Sequence, residues 1–472
     1  MRNLFYVLFL IITVNSFAQE LICDNSSVKE AFDLAVRTVD VNTRNGILAA
    51  GGDYGGEWVR DIAINSWNGA SLFRPQVAER SLWSVTINKD TVGQQYWDKI
   101  IWVIAVNHHY QITGNKMFLA QAYKCSVNTM KQLEKITFDK EYGLFMGPSV
   151  FNDGIAGYPE PIYEPLNYSS FVLDHKNSHS IKCLSTNCVY YGAYLALVQM
   201  SRTLGENKDV TAGYAQKAAR LKTNILKNLY NKEKNTFYYL IDHQGKANPS
   251  QEGLGLSFAV IFGILDGKKA TQMIDNAVVS KYGITSIYPD FPRYSPNKPG
   301  RHNNIIWPMV NGFYANAALI SGSYASFEKE LFSLTHLALD ADKGNKNFRE
   351  IYNPYSGKPD GGYQASGKTQ PDFHWESCKM QTWSATAYLY MVINGLTGIR
   401  INESSLSFEP YLPSGIGHIE LKNFAYRNAV LSVLVKGKGN SIKSFMVDGK
   451  EQRNHSFDSK ISGNHVVSIN LE

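Results

Sequence analysis

The chain has 472 residues, of which 44% are hydrophobic, 12% aromatic and 19% charged. This composition excludes a disordered protein, and the length allows one large domain with a small second one. The net charge of +6 is spread over the sequence without a long run of Lys and Arg, so nucleic acid is not an expected partner.

The start of the chain predicts a signal peptide, residues 1–18. Arg2 precedes an apolar run over residues 4–14, and Ser16 and Ala18 provide the small residues that signal peptidase requires. The run is too short for a comfortable membrane span, and no later stretch approaches about 20 consecutive apolar residues. We therefore expect a periplasmic or secreted protein without a membrane span.

Residues 19–398 are predicted to form a mainly helical domain. Apolar side chains recur every three or four positions from Val189 to Leu204, which is one face of a helix. A second such run follows from Tyr214 to Leu229, so residues 189–229 are predicted to form a helical hairpin. Further helical hairpins are predicted over residues 98–133, 253–280 and 310–339. Long loops such as 146–164 and 347–373 hold most of the Gly, Pro, Trp and unpaired carboxylates. This arrangement favours a toroid of helical hairpins with its site on the loop side, rather than a regular helical solenoid.

The character of the sequence changes after Gly398. Segments such as SLSFEPYLP, HIELKNFAYR and HVVSINLE alternate apolar and polar residues between Gly, Pro and Asn, which is typical of strands. Residues 399–472 are therefore predicted to form a small antiparallel β appendage that is too short for a catalytic site of its own.

The five cysteines stand at scattered positions and do not form a disulfide framework. Cys183 and Cys188 allow three interpretations. They could form a disulfide, hold a zinc ion together with His175 and His179, or remain buried thiols.

Two glycine-containing loops in the first half of the domain carry acids beside aromatics. The segment GGDYGGEWVRDIAINSWN contains Trp58, Arg60 and Asp61. Its glycines let the backbone approach a ligand, and an Arg–Asp fork can hold vicinal hydroxyls. The segment GPSVFNDGIAGYPEP contains Asp153. A helix-start ion pair in the first loop and a tight Asn-Asp-Gly turn in the second are the structural alternatives.

Two later segments add further candidates. RHNNIIWPMVNGF places Trp307 and Asn311 at the entrance of a helix, although the Trp could equally pack in the core. The region from FREIYNPYSGKPDGG to HWES contains Glu350, Tyr352 and Glu376. Glu350 precedes a Tyr-Asn-Pro turn, where an unpaired acid is hard to explain structurally, whereas Glu376 could simply cap or pair near the last helix.

The four segments combine carboxylates with aromatic rings, without a nucleotide-binding loop or a convincing metal cluster. Aromatic faces pack against sugar rings, and carboxylates both bind hydroxyls and catalyse glycosidic cleavage. That reaction needs one carboxyl group to protonate the leaving oxygen and another to activate water or attack the anomeric carbon. The pattern indicates a glycosidase that acts on an oligosaccharide or polysaccharide and requires no cofactor.

The motifs also resemble those of the six-hairpin, (α/α)6-barrel glycosidases. EWVRD is similar to the Trp-x-Arg-Asp signature of the glucoamylase and rhamnosidase-like families, whose Arg and Asp hold the sugar in the −1 subsite. FREIYNPYSGKPDGG resembles the Glu-x-Tyr-Asn-Pro-x-Thr/Ser-Gly segment of glycoside hydrolase family 63, in which the Glu, here Glu350, is the general base. IIWPMVNGF resembles the Trp-Pro-x-x-Asn segment that lines the same site. Asp153 fits the position of the general acid, although the letters around it differ from that family.

These observations lead to the hypothesis of an inverting, exo-acting glycoside hydrolase. Asp153 is the expected acid and Glu350 the expected base, while Arg60 and Asp61 hold the terminal sugar. Trp58, Trp307 and Tyr352 form the walls of the pocket around this sugar. If Asp153 points away from the pocket, the candidate acids are Glu57, Asp61 and Glu376. A polysaccharide lyase on the same toroid and a non-catalytic sugar-binding protein are the alternatives, and the sugar, anomer, linkage and oligomeric state stay open.

Overall fold

The computed structural model describes residues 19–342, 346–365 and 373–472. The predicted signal peptide, residues 1–18, lies outside them. The described chain is mainly helical, with helices α1 (Ser26–Val41), α2 (Val59–Asn65), α3 (Ser71–Phe73), α4 (Pro75–Ser84), α5 (Ile101–Thr113), α6 (Lys116–Thr137), α7 (Leu184–Leu204), α8 (Lys208–Asn228), α9 (Gly253–Ile261), α10 (Gly267–Asp275), α11 (Pro308–Ser321), α12 (Tyr324–Leu339) and α13 (Thr382–Met391). The π-helical turns Ser66–Ala70 and Val392–Leu396 continue α2 and α13, and short 3₁₀ turns span Ile155–Gly157, Val172–Asp174 and Lys176–Ser180.

Capping residues set the ends of several helices. The side chain of Asn25 accepts a hydrogen bond from the backbone N–H of Val28 at the start of α1. Helices α5, α7 and α11 each end at a glycine with positive φ, namely Gly114, Gly205 and Gly322. Such a residue lets the chain turn back at once. The hairpins predicted over residues 98–133, 189–229, 253–280 and 310–339 are confirmed as the pairs α5–α6, α7–α8, α9–α10 and α11–α12.

Six helices contact one another in a closed order. Helix α2 packs against α5, α5 against α7, α7 against α9, α9 against α11, α11 against α13, and α13 against α2. The ring of Trp67 lies among them, with the rings of Phe313 and Phe258 at centroid distances of 5.1 and 6.3 Å. These helices are buried around most of their circumference, whereas α8 buries only the stripe Ala218, Leu221 and Ile225.

Two sheets form the C-terminal region. The larger has six strands in the spatial order Glu20–Cys23, His418–Tyr426, Ala429–Lys436, Gly463–Leu471, Ile442–Val447 and Lys450–Glu451. The smaller has three strands, Ile399–Ile401, Ser405–Phe408 and Ser456–Asp458.

The larger sheet corrects the prediction of a purely antiparallel appendage. Strands Ala429–Lys436 and Gly463–Leu471 pair in parallel. The strand Gly463–Leu471, the last in the chain, lies between Ala429–Lys436 and Ile442–Val447. Alternation of apolar and polar residues predicts strands but not the order in which they pair. Strand Glu20–Cys23, which precedes α1, completes one edge of this sheet. The domain boundary at Gly398 stays a prediction.

The loops between helices contain short paired strands of two residues: Thr43–Arg44, Ile47–Leu48, Thr86–Ile87, Thr91–Val92, Phe138–Asp139, Leu144–Phe145, Lys182–Cys183, Tyr230–Asn231, Thr236–Phe237, Leu240–Ile241, Ala247–Asn248, Gln251–Glu252, Val279–Ser280, Gly283–Ile284, Ile287–Tyr288, Tyr363–Gln364 and Phe373–His374. Their backbone hydrogen bonds give the loops a fixed course. In the described part of the chain, no helix combines the length and the hydropathy that crossing a membrane requires.

Candidate active site

A cavity of about 260 Å³ lies at the N-terminal ends of α2, α11 and α13. The loop that precedes α7 and the loop that precedes α13 supply the rest of its wall. The lining residues are Ala50, Tyr54, Trp58, Arg60, Asp61, Phe151, Asp153, Gly154, Ser170, Phe171, Arg301, His302, Trp307, Glu350, Gln364, Trp375, Gln381 and Trp383. Six of the nine site residues predicted from the sequence are thereby brought together: Trp58, Arg60, Asp61, Asp153, Trp307 and Glu350.

The other three predicted residues, Asn311, Tyr352 and Glu376, do not line this cavity. The side-chain amide of Asn311 is buried within the helix packing and donates to Glu330 Oε2 at 2.7 Å. Tyr352 is also buried, and its hydroxyl donates to the carbonyl of Asn347 at 2.9 Å. Glu376 is exposed to solvent. These residues are close to the site in sequence, but their side chains lie outside the cavity wall.

One guanidinium group, that of Arg60, contacts three carboxylates. Its Nη2 donates to Asp153 Oδ2 at 2.7 Å and its Nη1 to Asp98 Oδ2 at 3.3 Å. Its Nε lies 3.7 Å from Asp61 Oδ2. Asp98 Oδ1 accepts a hydrogen bond from the backbone N–H of Phe151 at 2.8 Å, which ties the loop that carries Asp153 to the same cluster.

The members of this cluster differ in acidity. Burial raises the pKa of Asp61 to about 7 and that of Asp98 to about 6, against the opposing effect of Arg60. Burial also acts to raise the pKa of Asp153, but the charge and hydrogen bond of Arg60 outweigh it and hold this pKa below its ordinary value. A single cation cannot neutralise three buried carboxylates, so the cluster retains a proton up to near-neutral pH.

A second ion pair holds Glu350. Arg301 Nη2 donates to Glu350 Oε1 at 2.9 Å, and the hydroxyl of Tyr54 donates to Oε2 at 3.0 Å. The side chains of Glu350 and Arg301 are only 4% and 8% exposed. Burial and the negative charge of Glu350 raise the pKa of Tyr54, so the phenol keeps the proton that it donates. Both oxygens of this carboxylate are therefore fixed by donors.

Aromatic rings form much of the wall. The imidazole of His302 stacks on Trp307 at a centroid distance of 4.3 Å and an interplanar angle of 4°. Trp383 meets Trp307 edge-on at 5.4 Å, and the guanidinium of Arg301 lies 5.2 Å from the ring centre of Trp375. Burial lowers the pKa of His302 well below its ordinary value, so this imidazole is neutral.

Several lining residues carry buried polar atoms that have no hydrogen-bond partner within the described structure. These atoms are Arg60 Nε, His302 Nε2, Trp307 Nε1, Gln364 Oε1, Trp375 Nε1, Gln381 Oε1 and Trp383 Nε1. Leaving such a group without a partner costs about 1–3 kcal/mol. The backbone is strained at the same place, with φ values of +68° at Phe151 and +61° at His302. A ligand with several hydroxyl groups would satisfy these donors and acceptors.

Tyr54, Asp98, Arg301 and His302 also belong to this site, although the sequence did not predict them. Asp98 carried a usable signal, because it stands two residues before the apolar run IIWVIAV and an acid close to such a run needs a buried partner. Arg301 and His302 begin the RHNNIIWPMVNGF segment, in which Trp307 and Asn311 were the predicted site residues. Tyr54 stands between Asp and Gly in an exposed-looking loop, and nothing in its pattern marked it.

The cysteine segment lies apart from this cavity. Cys183 and Cys188 are buried free thiols, and burial raises the pKa of each well above its ordinary value. His175 Nε2 and His179 Nε2 lie 3.0 and 2.9 Å from the backbone carbonyls of Ser169 and Leu173. Among the residues that the structure describes, His, Cys, Asp and Glu side chains form no group of three suited to a metal ion.

Solved structures share the fold of this chain at low sequence identity. A sialidase aligns with a TM-score of 0.71 and 16% identity over 92% of this chain and 40% of its own. The GH78 family rhamnosidase of Bacillus sp. GL1 aligns with a TM-score of 0.63 and 13% identity over 96% of this chain and 44% of its own. The chain thus spans less than half the length of these two proteins.

A third structure matches in length. The GH63 mannosylglycerate hydrolase from Thermus thermophilus, solved in complex with Tris, aligns with a TM-score of 0.58 and 15% identity over 76% of this chain and 99% of its own. No curated protein matches the chain. A family model described as the mannosylglycerate hydrolase MGH1-like glycoside hydrolase domain matches residues 58–376, which include every lining residue except Ala50, Tyr54, Gln381 and Trp383. The chain therefore belongs to the MGH1-like glycoside hydrolase family.

Proposed function

We propose that this glycosidase is inverting and exo-acting, with Glu350 as general base and Asp153 as general acid. The observation that carries the proposal is the pair of carboxylates that line one cavity, each held by an arginine of its own. Inverting hydrolysis needs two such groups, one to protonate the glycosidic oxygen and one to activate a water on the opposite face of the sugar.

Glu350 suits the role of base. A general base must be ionised and must not turn away from the water that it activates. Arg301 neutralises its charge at 2.9 Å, and the phenol of Tyr54 fixes its second oxygen at 3.0 Å. Donors on both oxygens limit rotation of the carboxylate.

Asp153 suits the role of acid once the substrate is bound. Its side chain is 29% exposed, whereas that of Asp61 is 4% exposed and has less access to a leaving group. In the free site Arg60 keeps Asp153 ionised, and the proton of the cluster resides on Asp61 or Asp98. When a sugar hydroxyl accepts a hydrogen bond from Arg60, the interaction of Arg60 with Asp153 becomes weaker and the pKa of Asp153 rises. Exclusion of water by the substrate raises this pKa further. The proton then passes to Asp153 within the cluster. Glu57, another candidate acid, is exposed and does not line the cavity.

The size and walls of the cavity support exo-action on a terminal sugar. A volume of about 260 Å³ lies below the range of about 300–1,000 Å³ usual for drug-sized ligands, so the cavity admits a single ring more readily than a chain. Arg60 and Asp61 hold its hydroxyls, and Trp58 and Trp307 provide apolar faces. The closed packing order of six helices supports the further proposal of an (α/α)6 toroid with this site at one end.

We propose that the mature protein acts in the periplasm or outside the cell after removal of residues 1–18. The substrate that we propose is a neutral oligosaccharide. Both arginines of the cavity already pair with carboxylates, so among the lining residues there is no unpaired guanidinium to bind a uronate. This charge balance disfavours the alternative of a polysaccharide lyase, which abstracts a proton beside a carboxylate group.

The test is hydrolysis of a panel of aryl α- and β-glycosides and short oligosaccharides, with proton NMR to identify the anomer first released. We expect the inverted anomer, and no turnover in the Glu350→Gln variant. The matched control is Asp33→Asn, an exposed acid on α1, which retains wild-type rates. A retained anomer refutes inversion, and a product that absorbs in the ultraviolet from uronate polymers moves the protein to the lyases.

The acid is tested separately through the leaving group. General acid catalysis contributes about 10²–10⁴-fold when the leaving group needs a proton. Asp153→Asn is therefore expected to lose that much on oligosaccharides and far less on a glycosyl fluoride, whose leaving group needs no proton. An equal loss on both substrates would exclude Asp153 as the acid and favour Asp61.

A further inference from the structure

A second depression, of about 280 Å³, lies beside the candidate active site. Its wall includes Tyr288, Asn304 and Tyr355. Asn304 follows His302 of the first cavity by two residues, a distance that the backbone spans in at most about 7 Å. Tyr355 follows Glu350 by five residues, which corresponds to at most about 18 Å. Two chain segments therefore contribute residues both to the catalytic cavity and to this depression.

Tyr355 is exposed but held in place. Its ring is 47% exposed, yet its hydroxyl donates to Asp290 Oδ2 at 2.7 Å and accepts from Asn304 Nδ2 at 2.9 Å. Asn304 also donates to Asp290 Oδ2 at 3.0 Å, which closes a triangle of hydrogen bonds. An exposed tyrosine usually rotates freely, whereas this ring presents its face in one orientation before any ligand arrives. Such preorganisation lowers the entropic cost of binding.

The turn that carries Tyr355 is also fixed. The side-chain oxygen of Asn353 accepts hydrogen bonds from the backbone N–H groups of Tyr355 and Ser356 at 2.9 and 3.1 Å. The carbonyl of Asn353 accepts a further bond from Gly357 at 2.9 Å. Backbone and hydroxyl are thus restrained at both ends of the Tyr355 side chain.

The depression has the composition of a carbohydrate subsite. Tyr288, which is 39% exposed, provides a second aromatic ring on the same wall. The polar side chains of Ser280, Thr285 and Asn304 also line the depression. Aromatic faces beside polar side chains match a sugar ring, which combines an apolar C–H face with hydroxyl groups at its edge.

We propose that this depression binds a second sugar ring of an oligosaccharide whose terminal ring occupies the catalytic cavity. The inference rests on the proposed function, because it takes the cavity to be the site of a terminal sugar. It identifies the substrate as an oligosaccharide of at least two rings rather than a single sugar linked to a small acid. Tyr355 and Tyr288 contribute stacking, and Asp290 holds the Tyr355 ring in its orientation.

The experiment measures binding without turnover, in Glu350→Gln protein. Isothermal titration with α-linked gluco- and manno-oligosaccharides of two to five units is compared with the matching monosaccharides. We expect the better oligosaccharide series to bind at least about 10-fold more tightly than its monosaccharide, which is the value of one good stacking contact. Adding Tyr355→Ala, or separately Tyr288→Ala, should remove most of this advantage.

Controls separate the subsite from the fold and from the reaction. Phe138→Ala, at an exposed aromatic residue just after α6, should leave the oligosaccharide advantage intact, and melting curves verify that each variant is folded. In the catalytically active background, Tyr355→Ala should lower kcat/KM at least about 10-fold more for oligosaccharides than for aryl monoglycosides. An advantage that persists in both tyrosine variants overturns the subsite. Absence of hydrolysis on every glycoside overturns the proposed function instead, since the binding comparison does not depend on turnover.

Discussion

Replacing Asp61 by Asn is expected to stabilise the protein at alkaline pH, although it alters the candidate site. In the folded protein burial raises the pKa of this carboxyl from 3.8 to about 7. Between these two values the folded state keeps a proton that the unfolded chain has released, so stability falls as the pH rises and stops falling above pH 7. At about 1.36 kcal/mol for each pH unit, this interval corresponds to a loss of about 4 kcal/mol.

Asn has nearly the shape of Asp but no charge, so Asp61→Asn escapes this loss. The free energy of unfolding of both proteins is measured with urea at pH 4 and pH 8. The difference between variant and wild type should be about 2–4 kcal/mol larger at pH 8 than at pH 4, in favour of the variant. Asp33→Asn, at a side chain that is 46% exposed, should show less than about 1 kcal/mol of such pH dependence. An equal effect of Asp61→Asn at both pH values would mean that Asp61 is ionised in the folded protein. That result would refute the hypothesis that the cluster shares a proton.

Two further substitutions test the groups that hold the acids. Tyr54→Phe removes one hydrogen bond to Glu350, and because bonds to charged groups contribute about 1.5–3 kcal/mol, kcat should fall by about 10- to 100-fold with KM little changed. A wild-type kcat would show that the phenol does not position the base. Asp98→Ala leaves the buried backbone N–H of Phe151 without its acceptor, and urea unfolding should record a loss of about 1–3 kcal/mol. A loss below about 1 kcal/mol would mean that water replaces this carboxylate at no cost.

The helices were predictable because their signals are local. Apolar spacing placed α7 and its neighbours, and glycines with positive φ ended them where the pattern stopped. The order of the C-terminal strands was not predictable by the same means. The strand Gly463–Leu471 alternates like any other, and its parallel position beside Ala429–Lys436 depends on packing between distant segments.

The candidate site was predictable where a residue had no structural reason to be present. Glu350 before a turn and Asp153 in a loop without period both line the cavity. Asn311 lies outside the cavity wall, because its amide satisfies the buried acid Glu330 instead. Arg301 could not be found from its spacing, since its meaning comes from a contact with a carboxylate 49 positions away.

The shared proton of the Arg60 cluster leads to a prediction for the pH dependence of the reaction. Because kcat/KM reports the free enzyme, it should fall as the pH rises through about 7, where Asp61 loses its proton and the cluster has none to pass to the leaving oxygen. The corresponding fall in kcat should lie at higher pH, since bound substrate excludes water and raises the pKa of the cluster. In Asp61→Asn only two carboxylates face Arg60, so the cluster holds less charge and the transition near pH 7 should disappear together with most of the activity. Rate profiles from pH 4 to pH 9 measure both constants, and a transition that persists near pH 7 in this variant would assign the proton to another group.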